Sequence, residues 1–331
     1  MSPLPIPTRL PELTQIQLPT PFPVGTVNVY LIEGEPLTLV DCGVNSPETL
    51  TLLTESLAQL NHRLDDIERV IISHHHVDHL GAIQHLVEAS SPEVVAHAYT
   101  VPYLEKPHAA RLRNRSFTDV AFRQAGVPQA VIDLMDEQDT YYESLMTVAS
   151  VGQVVDEGDV LALGGRDWQV YHTPGHAGGL ICLFQPDSGV LLSSDHLLGH
   201  ISSNPLIEAP EPGHKRPRRL VEYIAHLKRI AALTPTIAYT GHGDPIEDVG
   251  ELIAKRLDLN ERRTEKVARF FEHEQRHTLY DLSRLVFPTA TDSEAYLTLS
   301  EVLGHIDILE VAGRLEREMS SQGVVYWKQT G

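Results

Sequence analysis

The stretch SHHHVDHLG, Ser73 to Gly81, holds four histidines and one aspartate directly after the apolar run RVII. His74 and His76 are two apart, which puts both rings on one side of an extended segment, where they can reach one ion. Asp78 and His79 follow where a helix begins and project from a different direction, so they could serve a second ion beside the first. His75 and Val77 point elsewhere. Alone, such a cluster is also what a histidine-rich turn looks like. Three further stretches add to it: YHTPGHAGG places His176 in a glycine-flanked turn, LLSSDHLLG places Asp195 at a strand end, and YTGHGDP places His242 likewise. Each is a lone metal-competent side chain just beyond a strand-like run, and four such stretches in one chain make a ligand set. Nitrogen and oxygen ligands without sulfur suit zinc, manganese or iron.

The elements that must position these residues read as follows. VGTVNVYLIEGEPLTLVDCG predicts a β-hairpin that opens the fold. SPETLTLLTESLAQLN predicts a helix, with Ser46 as N-cap and Pro47 in the first turn. IERVIIS is a buried-type strand leading into the histidines, HLGAIQHLVEA has helical periodicity, and PEVVAHA is again strand-like. Residues from about 100 to 150 are helical, polar and broken by prolines, and predict a helical insertion. Its Phe117, Phe122, Leu134, Tyr141, Tyr142 and Leu145 either wall a partly hydrophobic substrate site or pack the insertion's own helices. DVLALGG, DWQVYHTPG, GLICLFQ and GVLLSSDHLLG predict a second β-rich half, followed by the amphipathic helix in RPRRLVEYIAHLKRIAALTP and a last strand in TIAYTGHGDP. The core domain is expected to span 1–255. Residues 256–331, helices followed by a strand pair, have the size and order of a winged-helix module.

Bulk properties narrow the class. The 331 residues allow one large domain and a small one, and their 42% hydrophobic and 21% charged content is that of a globular enzyme. No run of about 18 apolar residues exists to span a bilayer. The proline-rich start lacks the apolar segment of a signal peptide, and the two cysteines, Cys42 and Cys182, fit buried thiols of a reducing compartment, so a cytoplasmic location is expected. A net charge of −19 disfavours nucleic acid as partner.

With its His-x-His-x-Asp-His motif, later His176, Asp195 and last His242, the chain resembles the metallo-β-lactamase superfamily over roughly residues 20 to 255. The resemblance implies an α+β fold, an αβ/βα four-layer sandwich with metals at one edge. It implies His74, His76 and His176 on a first ion, Asp78, His79 and His242 on a second, and Asp195 bridging. Asp41 in LVDCG matches the family's acidic residue that orients a metal histidine. Two divalent ions about 3.5–4 Å apart can share a hydroxide and polarise a scissile carbonyl, with Asp78 as proton relay. Family members that act on β-lactams generally lack the bridging aspartate, so Asp195 is similar to the glyoxalase II, lactonase and phosphodiesterase branches.

The expectation is a dinuclear hydrolase, probed first with zinc, acting on a small thioester, ester or lactone, with a homodimer as one form of assembly. Two alternatives share its residues. One is an endoribonuclease or phosphodiesterase; against it, residues 261 to 331 hold 9 Lys and Arg and 12 Asp and Glu. The other is a winged-helix regulator whose metal domain senses a ligand. A redox role for iron would forgo second-site ligands that are present here. HEQRH at His273 to His277 matches a zinc-protease pattern but is weighed as chance, and the basic run HKRPRR as a solvated helix start. His196 and His200 flank Asp195 and are read as packing or orienting residues.

Overall fold

The β-branched run VNVYLI is buried at every position, as a strand covered on both faces must be. In the computed structural model, which describes residues 5–331, this strand is the third of a seven-stranded sheet. In chain order the sheet comprises β1 (Ile6–Pro7), β2 (Leu13–Leu18), β3 (Val27–Ile32), β4 (Thr38–Val40), β5 (Arg69–Ile72), β6 (Glu93–His97) and β7 (Gln153–Val155). The first four pair antiparallel and β4 to β7 run parallel. The opening hairpin is present, but it does not open the fold. β2 precedes it and pairs along its whole length with β3. Prolines at 11 and 19 flank β2 without entering it, so the proline-rich composition hid a buried strand.

A second, five-stranded sheet has the order β12-β11-β10-β9-β8, built from β8 (Val160–Leu163), β9 (Arg166–His172), β10 (Ile181–Gln185), β11 (Val190–Ser194) and β12 (Ile237–Thr240). Leu13, Tyr30, Ile32, Val40 and Ile71 of the first sheet pack against Trp168, Val170, Leu183, Leu192 and Tyr239 of the second. On the first sheet's outer face lie α1 (Pro47–Gln59), the short α2 (Val77–Leu80), α3 (Ile83–Ser90) and α4 (Val101–Glu105). Ser46 caps α1 as expected, its hydroxyl accepting from Thr49 N at 3.1 Å. The insertion is α5 (Pro107–Gln124) and α6 (Gln129–Ser144). The second sheet's outer face is covered by α7 (Arg219–Ala232) and the start of α8 (Val249–Arg269). The layers are therefore helix, sheet, sheet, helix.

Past α8 the chain forms β13 (Arg276–His277), α9 (Leu279–Val286), α10 (Ala295–Val311), β14 (Leu315–Met319) and β15 (Val325–Gln329), the strands making a small third sheet. Position 255 falls inside α8: Val249 and Ile253 pack on the second sheet, while Val267 belongs to a C-terminal core. That core also takes in the insertion, because Phe122, Val131, Ile132 and Met135 cluster with Leu282, Leu299, Val302 and Ile306. Of the aromatic residues that could have walled a substrate site, Phe122 is thus interior and Phe117 packs against the same cluster.

Two charged motifs also take structural roles. Arg216 donates to both carboxylate oxygens of Asp307, Arg218 pairs with Glu310, and Arg219 pairs with Glu208 and Glu222. The run is not a solvated helix start but the dock between α7 and α10. HEQRH is not a helical metal pair, since α8 ends at Arg269, His273 has a left-handed backbone (φ 62°) and His277 lies in β13. No helix among the described residues is long and apolar enough to cross a membrane.

The shared core makes a prediction. Leu299→Ala, at a fully buried site, should cost about 2–5 kcal/mol. Hydrogen exchange should quicken in α5 and α6 together with α9 and α10, and acceleration confined to α9 and α10 would contradict a single core.

Candidate metal centre

In the first sheet β4 and β5 are parallel, and in the second β9 and β11 point the same way as β12, so their C-terminal ends meet at one rim. The loops leaving these strands carry Asp41, His74 to His79, His176, Asp195 and His242. Two of them turn sharply. Asp41 and Ser194 have positive φ angles of 62° and 46°, a conformation that side chains other than glycine adopt at a cost of order 1–3 kcal/mol. The strained turn at Asp41 aims its carboxylate back at the next strand, and that at Ser194 delivers Asp195 to the centre.

Seven side chains converge there. His74 Nε2 lies 3.0 Å from His76 Nδ1, which lies 2.9 Å from His176 Nε2. Asp78 Oδ2 is 3.3 Å from His242 Nε2. Asp195 stands between the groups, with Oδ2 3.4 Å from His176 Nε2 and 3.5 Å from His242 Nε2, and Oδ1 3.5 Å from His79 Nε2. All but His76 and His176 are buried, and those two are mostly so.

The remaining ring nitrogens explain the orientation. His79 Nδ1 donates to Asp41 Oδ2 at 2.7 Å, His176 Nδ1 to the Asn204 carbonyl at 3.0 Å, and His242 Nδ1 to the Thr26 carbonyl at 2.8 Å. His74 Nδ1 faces the hydroxyls of Ser73 and Ser194. The Asp41 carboxylate and the two carbonyls can only accept, so each holds a proton on Nδ1 and leaves Nε2 facing inward, the arrangement by which proteins prepare histidines for metal. Asp41 also accepts from Ser73 N and Ser73 Oγ, both at 2.7 Å.

The electrostatics agree. Burial, aided by neighbouring imidazoles, holds His74 and His76 well below the usual histidine range, and burial lowers His176 as well, so these rings are neutral. Burial opposes charge on His79 too, yet Asp41, Asp195 and Asp78 together raise it well above that range. Burial likewise disfavours ionised Asp195, but His242 and His79 keep its carboxyl far below the usual carboxylate range. His79 Nε2 and Asp195 Oδ1 are buried without a hydrogen-bond partner. Neutral inward nitrogens on His74, His76 and His176, beside ionised carboxylates that raise His79 and His242, make a donor set that could hold a divalent cation, which would displace the protons of those two rings.

His75 takes no part in this convergence. Its ring stacks on Tyr103 at 4.0 Å and its Nε2 pairs with Glu208 at 3.2 Å. His196 is fully buried against Tyr223, and burial pushes it down to about 3. His200 sits over Gly243, where an added Cβ would meet its ring at 2.6 Å. Tyr142 packs edge-on against Phe22 and feels the charge of Asp78; burial, Tyr141 and Asp78 raise its pKa, so it is a protonated phenol near the centre. Sequence reasoning missed Glu208, which burial penalises but Arg219 and His75 hold down at about 2, and which also accepts from Gly178 N. It missed the Thr26 and Asn204 carbonyls as well. Gly241 gives a direct test, because a Cβ there would stand 2.0 Å from Asp195 Oδ1. Gly241→Ala should yield a folded protein with most of its bound metal lost, as read by elemental analysis; His75→Ala should retain metal where His76→Ala does not.

The metallo-beta-lactamase superfamily profile matches residues 22–242. The chain is 38% identical over 300 residues to the probable metallo-hydrolase YqjP of Bacillus subtilis, covering 90% of this chain and 92% of that one. It is 23% identical over 252 residues to the atrochrysone carboxyl ACP thioesterase of Aspergillus fumigatus, covering 76% of this chain and 61% of the relative. A metallo-beta-lactamase family protein from Thermus thermophilus superposes with a TM-score of 0.82 at 25% identity, over 98% of this chain and all of its own. A beta-lactamase domain protein from Burkholderia ambifaria superposes at 0.83 and 23% identity, over 98% and 94%. With two thirds of its length matching that profile and a 38% identical relative covered almost end to end, the chain belongs to the metallo-beta-lactamase superfamily and is a metallo-hydrolase.

Proposed function

We propose that the enzyme hydrolyses a small thioester, ester or lactone with two divalent ions, zinc being the first to try. His74, His76 and His176 would hold one ion, Asp78, His79 and His242 the other, and Asp195 would reach both. The observation that carries this is the position of Asp195, its two oxygens 3.4–3.5 Å from nitrogens of both groups. Ions held there would supply Lewis acidity toward an acyl oxygen and water activated near neutral pH. Asp78 is buried and ionised, and although burial opposes that charge, His79 and His242 favour it. It accepts the proton of the attacking water as the acyl carbon–oxygen bond forms, and returns it to the sulfur or oxygen released when the acyl bond breaks. All these groups come from one chain, so no second subunit is needed to complete the site.

The thioesterase relative supports the acyl class. The order helix, strand, helix, helix, hairpin after residue 248 supports a winged-helix-like unit, with residues 1–255 as the catalytic part. Its acidic balance speaks for a packing role over nucleic-acid binding.

Metal-reconstituted wild type should contain close to two ions per chain, and clearly fewer than one would overturn the dinuclear reading. Asp195→Ala should lose metal and turnover together, whereas His200→Ala should keep its metal. A screen of thioesters, lactones, aryl esters and bis-aryl phosphodiesters should give turnover on the acyl substrates. Turnover confined to phosphodiesters, with single-stranded RNA bound at low salt, would favour the nuclease instead.

A further inference from the structure

Between β11 and α7 the chain runs as an irregular strap, with no helix or strand from 201 to 211. Its inner edge touches the metal centre. The Ser203 hydroxyl donates to the Asp195 carbonyl, the Asn204 carbonyl accepts from His176 Nδ1 at 3.0 Å, and Glu208 pairs with His75 and accepts from Gly178 N. Its outer edge is held by the C-terminal helices. One guanidinium nitrogen of Arg256, on α8, donates to the carbonyls of Leu198 (2.9 Å), Gly199 (3.2 Å) and Ile201 (2.7 Å). On α10, the Leu297 carbonyl accepts from Asn204 Nδ2 at 3.0 Å, Ser300 Oγ accepts from Ile207 N at 3.1 Å, and the Tyr296 hydroxyl donates to the Ile207 carbonyl.

We propose that α8 and α10 position a metal ligand at a distance: by holding the strap, they fix the Asn204 carbonyl that orients the His176 ring. Asn204 is the joint, because its main chain serves the catalytic rim and its side chain serves α10. Among the described residues, the Asn204 carbonyl is the ring's one hydrogen-bond partner on its outer nitrogen. A carbonyl on an irregular segment has no ladder of its own to fix it, so its position is set by whatever grips the flanking residues. Asn204 and Tyr296 are positioning residues here, acting only through His176. The inference rests on the proposed function for one of its two readouts and not for the other.

The test uses the full-length protein with Asn204→Ala, which frees the strap from Leu297 but keeps the backbone carbonyl, and Tyr296→Phe, which removes a single hydroxyl. Arg314→Ala, which breaks an exposed ion pair with Glu265 away from the strap, is the control for general loosening of the C-terminal unit. The first readout is nitrogen-15 histidine NMR of metal-free protein, with the His176 Nδ1–H signal assigned by His176→Gln. The second is zinc affinity by chelator competition. Both strap variants should shift or broaden that signal and weaken one ion by roughly 10–100-fold, as loss of a ligand's orienting partner typically does, while Arg314→Ala changes neither. An unchanged signal in folded Tyr296→Phe, or an equal loss in Arg314→Ala, would overturn the proposal. If wild type binds no zinc, the functional reading falls and the NMR signal still decides this one.

Discussion

Burial of carboxylates among imidazoles is the constraint around which the rim is built. Asp41, Asp78 and Asp195 are all nearly inaccessible to water, and removing such charges from solvent costs several kcal/mol each unless partners replace it. Asp41 is compensated completely, by Ser73 N, Ser73 Oγ and His79 Nδ1. Asp78 and Asp195 lean instead on His79 and His242, whose charged forms they favour, through contacts of 3.3–3.5 Å rather than a closed set of short hydrogen bonds. A cation at these positions would replace the protons on those two rings and pair with the carboxylates directly, so metal binding should be linked to proton release and to folding.

Bringing ligands from two sheets to one point requires the sheets to be tied near the rim. The ties are polar and specific: Ile181 N donates to Ser73 O at 2.9 Å, Asn28 N to Gly241 O at 2.7 Å, and the Tyr30 hydroxyl to Thr240 O at 2.6 Å. Asn28 adds its side-chain amide, donating to the carbonyls of Thr240 and Gly243. Each tie lies within two residues of a converging side chain or in the strand that delivers it. The apolar contact between sheets sets their spacing, whereas these bonds set register, which a greasy interface alone leaves loose.

What could be read from the sequence follows the same division. His74, His76, Asp78, His79, His176, Asp195 and His242 announce themselves by side-chain type and by their places after strands. The groups that orient them are mostly invisible, because a carbonyl at Thr26 or Asn204 belongs to every residue type. Glu208 and Arg219 were illegible for another reason: one lies in an irregular strap and the other in a basic run that composition assigns to solvent. β2 was masked by flanking prolines. The insertion's place in the C-terminal core could not be foreseen, since α5 is polar over most of its surface and buries only Ala110, Arg111, Thr118 and Phe122.

The C-terminal unit shows why architecture alone is a poor guide to its role. In a winged-helix reader of nucleic acid, the helix before the hairpin lies in the groove and must present an open, basic face. Here that helix is α10, and residues 299 to 307 are buried without interruption. Its charges are spent internally: Asp307 and Glu310 meet Arg216 and Arg218, and Glu301 meets Arg263. A helix buried on all sides from 299 to 307, whose acids pair with the catalytic half and with α8, has no central face left for a groove. The same burial makes it stiff, and stiffness is what a support for the strap beside His176 needs. The element order proposed as winged-helix-like is thus joined to a surface chemistry that suits packing rather than a groove.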